Sequence, residues 1–181
     1  MKNKGFTLIE ILITVAIFSI TIGAMSGIFS SVLRNQRRGL SNQELVNSAS
    51  YNLEYISRIL RMARKQTAAL PSCLSQNGLN YEVNGAKDSI KFLNYQGDCY
   101  RIYLQGTSIY QKKNTETELP ITPANLKISF LKFNLSGQSD TDNLQPRVTI
   151  AFVIENITPK TEEKTGLRVQ TSISQRELDT K

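Results

Sequence analysis

Ile11 to Leu33 reads ILITVAIFSITIGAMSGIFSSVL, an apolar run with neither a charge nor a proline. About 20 such residues in a helix cross the hydrocarbon core of a bilayer. The apolar region of a cleavable signal peptide is shorter, about 7 to 15 residues, and small residues follow it at the cut site. Here the small residues lie inside the run. The segment therefore reads as a retained transmembrane helix rather than a discarded leader. The rest of the chain is more polar, and the overall mean hydropathy of -0.26 averages the two parts.

Immediately upstream, Glu10 sits at the mouth of the apolar run. A carboxylate there is costly unless something neutralises it. The next cationic side chain in the C-terminal direction is Arg34, about 36 Å away along a straight helix. The partner of Glu10 is therefore local or belongs to another chain.

Lys4-Gly5-Phe6-Thr7-Leu8-Ile9-Glu10 resembles the processing motif of type IV prepilins and type II secretion pseudopilins. The resemblance covers residues 1 to about 35 and implies a set of expectations. A prepilin peptidase cuts between Gly5 and Phe6, and the new amine of Phe6 is methylated. Glu10 neutralises the amine of a neighbouring subunit during filament assembly. The partners are then the peptidase, other pilin or pseudopilin subunits and the inner membrane, with the head extracytoplasmic before and after assembly. Counting Lys and Arg alone argues the other way: Lys2 and Lys4 precede the span, and Arg34, Arg37 and Arg38 follow it. Gly27 falls where family members often have a helix-weakening residue that melts in the filament. The alternative is that Gly23 and Gly27 only let helices approach closely.

Downstream of the span, Leu45, Ala49, Leu53, Ile56, Leu60 and Ala63 recur at three- and four-residue intervals, the stripe of an amphipathic helix. Ser41-Asn42-Gln43-Glu44 fits a capping box after Gly39, so the long helix is either continuous or broken there. Pro71 is expected to end it. Arg58, Arg61, Arg64 and Lys65 fall on the back of this helix, as a solvated face, a subunit contact or a weakly supported nucleic-acid surface.

After Pro71 the pattern alternates. Strands are predicted at Asp88–Tyr95, Cys99–Gln105, Ser108–Lys113, Leu126–Leu135, Arg147–Ile157 and Leu167–Gln175, with loops around Pro120 to Pro123 and Ser136 to Pro146. The expected fold class is α+β and pilin-like. A long N-terminal helix, transmembrane in its first half and amphipathic in its second, packs on one antiparallel sheet or two small ones. The segments are a leader (1–5), a transmembrane and filament-core helix (6–33), an amphipathic helix (34–70) and a β-rich head (71–181). This layout resembles the J-type minor subunits of type II secretion or the W-type minor subunits of type IV pili.

The chain has no histidine and two cysteines, which removes the usual near-neutral base and any four-thiolate zinc site. No nucleophile elbow or phosphate-binding glycine loop occurs. Asp140-Thr141-Asp142-Asn143 lacks the glycine and distal glutamate of a calcium loop. No enzyme activity, metal or cofactor is expected. In an extracytoplasmic head, Cys73 and Cys99 are expected to form a disulfide, the alternative being two separately buried thiols. Two functions compete: a structural filament subunit, or a membrane-tethered binding module such as a DNA-contacting pilin of a competence pilus.

Overall fold

A computed structural model describes residues 5–138, 144–157 and 166–177. One helix, α1 (Leu8–Arg61), opens the chain. It runs unbroken through Gly23, Gly27 and Gly39, so the alternative of a break at Gly39 does not hold in the subunit. Two compact units divide at Leu40 and Ser41. In the first, every described side chain is exposed. In the second, Leu45, Ala49, Ile56 and Leu60 are buried.

The second unit contains two antiparallel sheets. The first is built from β1 (Ala63–Arg64), β2 (Tyr81–Val83), β3 (Ser89–Asn94), β4 (Cys99–Gln105), β5 (Ser108–Lys113) and β6 (Leu119–Pro120). Its order is β1-β3-β4-β5-β6, with β2 sharing the β1 side of β3. The second sheet, ordered β7-β8-β9, comprises β7 (Leu126–Ser136), β8 (Arg147–Asn156) and β9 (Gly166–Ser174). Backbone bonds from Ile128 to Thr107 (2.7 Å) and from Phe133 to Lys87 (2.7 Å) stitch β7 to the turns of the first sheet. The α+β pilin-like class is therefore the observed one: a long N-terminal helix whose second half packs on antiparallel sheet.

Alternation explains the packing. In β8, Val148, Ile150, Phe152 and Ile154 all face the core while the residues between them stay partly exposed. They meet Ile56 and Leu60 of α1 together with Ile90, Phe92 and Ile102 of the first sheet in one apolar cluster. Full burial of each such side chain contributes roughly 1.5–3 kcal/mol.

Three expectations need correcting. First, α1 stops at Arg61 rather than at Pro71. Ala63 and Arg64 have already joined β3, opposite Asn94 and Leu93. The Tyr81 hydroxyl takes the Leu60 carbonyl at 2.7 Å, and the Arg176 amide takes that of Arg61 at 2.9 Å. Orphan carbonyls of the last turn thus find partners on other elements. Second, Asn52, outside the predicted stripe, is fully buried beside it, while Leu53 packs half-buried against the core. Third, Ser41 and Glu44 do not start a helix. Instead Ser41 accepts a hydrogen bond from Asn156 at 2.7 Å, and Glu44 accepts one from Asn125.

Beyond β1, the buried Gln66 organises the segment that periodicity left blank. Its side-chain oxygen accepts the amides of Cys73 (2.9 Å) and Leu74 (2.6 Å), and its main chain bonds to Gly78 and Leu79. Cys73 and Cys99 are joined by a disulfide with Cα atoms 5.4 Å apart, which ties this segment to the first residue of β4.

Candidate processing and assembly site

The start of α1 is decided by Thr7 and Glu10. The Thr7 hydroxyl accepts the Glu10 amide at 3.4 Å. In return, Glu10 Oε2 accepts both the Thr7 amide (3.0 Å) and the Thr7 hydroxyl (2.9 Å). This is a reciprocal capping box, which satisfies donors that the first turn would otherwise leave open. The sequence pattern that announces it, a threonine three residues before an acid at the head of an apolar run, is present as Thr7-Leu8-Ile9-Glu10. Reading Glu10 for its charge alone misses it.

Capping has a chemical consequence. Oε2 is engaged twice, whereas Oε1 accepts no hydrogen bond among the described residues. The carboxylate is held at a fixed place on the helix with one oxygen available to a donor from outside. Phe6 lies beside it, 84% exposed, and with Glu10, Ile11 and Thr14 it borders a shallow depression of about 410 Å3. Gly5 is also exposed.

The helix beyond suits an apolar surrounding. Hydroxyls of Thr14, Ser19, Thr21 and Ser26 donate to the carbonyls of Ile11, Val15, Ile17 and Ile22 at 2.8–2.9 Å. Each polar side chain is thereby satisfied within its own helix, which matters where no water can serve. The helix is long and apolar enough to cross a membrane. The N-terminal segment itself matches the family described as the prokaryotic N-terminal methylation motif, over residues 1–26. Residues 1–26 carry a prepilin-class signal. No curated protein and no solved structure matches the chain. The prepilin-class signal points to a processed pilin- or pseudopilin-like subunit, and so to a structural role rather than catalysis. It implies a prepilin peptidase and other pilins as partners, and the apolar helix behind it fits membrane anchoring before assembly.

Of the basic residues that helical spacing would put on one face, Arg58 and Arg61 stand in the last turn of α1, and Arg64 and Lys65 come after its end. Arg58 bridges Glu54 at 2.8 Å. Arg64 lies in β1 and reaches Glu177 at 3.3 Å, and Lys65 follows it outside α1. Asp140, Thr141, Asp142 and Asn143, together with Lys2 and Lys4, lie outside the described residues. Among the described residues, no group of three or more acidic or cysteine side chains is placed to hold a metal ion.

Proposed function

We propose that this chain is a subunit, of the minor rather than the major kind, in a type IV pilus-like filament. Prepilin peptidase removes residues 1–5, the Phe6 amine is methylated, and residues 6–33 cross the inner membrane with the head outside. The same helix then forms the filament core. Glu10 Oε1 receives the Phe6 amine of a neighbouring subunit. One observation carries this reading: a carboxylate at the head of an exposed apolar helix is clamped by Thr7 through one oxygen and leaves the other unused. In an apolar surrounding that oxygen needs a cationic donor, and an adjacent α-amine in the filament core supplies one. A tether for a binding head gains nothing from it. The spread of strands over the head favours a J-type or W-type position within the class.

The test combines mass and assembly in the native host. Intact-mass measurement should show loss of Met1–Gly5 and a methylated Phe6. Glu10→Leu should still insert, being more apolar, yet enter filaments at least about tenfold less, equivalent to about 1.4 kcal/mol. Normal incorporation of that variant would sink the assembly role and favour the tethered module, for instance a DNA-contacting pilin. A mature terminus beyond residue 30 would sink the prepilin processing itself.

A further inference from the structure

β9 is the outer strand of its sheet, and among the described residues nothing pairs with its far side. Its register with β8 is unbroken, from Gly166 opposite Glu155 to Ser174 opposite Arg147. It contains no proline, and Arg168 is its single charge. Long exposed edges invite pairing with another chain, and proteins usually blunt them with bulges, prolines, charges or a cover. β7, the other outer strand of this sheet, shows such protection: its register shifts between Ile128 and Phe130, and Ile128 and Phe133 bond to turns of the first sheet. Among the described residues, β9 has neither a register shift nor a bond from its outer edge to another element, and a single arginine is its only such device.

The direction of its free groups follows from one bond. The Gln175 amide donates to the Pro146 carbonyl at 3.1 Å, one step beyond the last paired residues. Alternation along an antiparallel ladder then leaves the amides and carbonyls of Arg168, Gln170 and Ser172 pointing away from β8. Alongside runs a groove of about 790 Å3 between the exposed side of α1 and β9. Its walls include Leu53, Glu54, Arg58 and Arg61 from the helix, and Thr171 and Arg176 from the strand side. Arg58 is bridged to Glu54. Arg61 and Arg176 are held side by side by the bond between their main chains, and neither guanidinium meets an acid among the described residues.

We infer that this edge takes up an extended acidic segment of another protein, which adds to β9 as a fourth strand and lays carboxylates against Arg61 and Arg176. Charge decides the occupant. Two copies joined edge to edge would bring together two surfaces of the same positive sign, on a chain whose formal charge is already +7. A nucleic acid could meet the arginines, but it has no peptide ladder to satisfy the row of β9 amides and carbonyls. An extended acidic polypeptide answers both features at once, main chain to main chain and carboxylate to guanidinium. The inference does not depend on filament assembly, because a tethered head would present the same edge.

The test titrates the full chain, in detergent micelles, with a short fluorescent peptide alternating glutamate and valine. Binding should slow hydrogen exchange at Arg168, Gln170 and Ser172. Gln170→Pro removes an outward amide without touching the β8 ladder, a place where edge strands accept proline. It should leave thermal unfolding of the head in place and weaken the peptide by about tenfold or more, a loss of about 1.4 kcal/mol. Gln170→Ala should bind like the parent. Arg61→Glu combined with Arg176→Glu should transfer preference to a lysine–valine peptide. Equal binding by Gln170→Pro would overturn the proposal, as would equal affinity of the parent for the lysine peptide. Two further results would also count against it. Oligonucleotide binding in place of peptide binding, with β9 exchange unchanged, would assign the arginines to phosphate. Concentration-dependent dimers that protect β9 without peptide would assign the edge to a second copy.

Discussion

Thr7 carries more of the N-terminal chemistry than its size suggests. Its hydroxyl both receives the Glu10 amide and donates to Glu10 Oε2, so one side chain starts the helix and aims the acid. Loss of a capping hydroxyl typically costs about 1 kcal/mol. Thr7→Val keeps the shape and removes the oxygen. In micelles, the amide of Glu10 should then exchange about fivefold faster, the equivalent of that energy. Thr7→Ser should restore the parent rate. Unchanged exchange in the valine variant would mean that the box does not hold the first turn. The same scale shows where residue-level reading falls short. Asn52 is fully buried, and neither atom of its amide finds a partner among the described residues. Hydropathy assigns the middle of the stripe to Leu53 because an unpaired buried amide runs against every such scale.

At the scale of elements, the strands that alternate were legible and those that do not were not. Cys99–Gln105 and Ser108–Lys113 are found at their predicted bounds, and Gly106 between them takes a φ of 60°, as a tight hairpin requires. β1, β2 and β6 are two or three residues long and show no period of their own. They exist because a neighbouring strand offers free groups, and a linear pattern does not contain that information. The end of α1 was missed for the same reason, since Tyr81 and Arg176 decide it from elsewhere in the chain. The hairpin carrying Cys99 also has a titration of its own. The Asn114 amide (2.9 Å), then the Lys113 ammonium (3.1 Å), hold the Asp98 carboxyl below its ordinary value. A depressed carboxyl favours the folded state above the unfolded pKa near 4, and that contribution disappears as pH falls through the folded value. Asn114→Gly removes the amide while tolerating the positive φ of 48° at that position. The Asp98 carboxyl midpoint, followed by NMR, should move upward toward its ordinary value. A midpoint that stays in place would show that Asn114 does not set it.

The whole molecule joins a unit whose described side chains are all exposed to one with a closed apolar core. Leu45 to Ile173 bound that core, so among the described residues the whole of it lies C-terminal to the division at Ser41. The Asn156 and Asn125 bonds to Ser41 and Glu44 begin at the same place. A fragment starting at Ser41 therefore keeps the whole core, the Cys73–Cys99 bond and all seven tyrosines. It should fold in plain buffer without detergent. Its near-ultraviolet dichroism should match that of the full chain in micelles, because the tyrosine signal comes only from this part. Unfolding should be cooperative, within a few degrees of the full chain, since no core side chain is removed. A second fragment, starting at Ala63, loses Leu45, Ala49, Ile56 and Leu60. Truncating a single buried Leu or Ile to Ala costs about 2–5 kcal/mol, against a total stability of roughly 5–15 kcal/mol for a domain. Removing the helix should leave the sheets without tertiary dichroism. A Ser41 fragment that behaved the same way would show that residues before Ser41 are needed for the head to fold, and the two-unit division would fail.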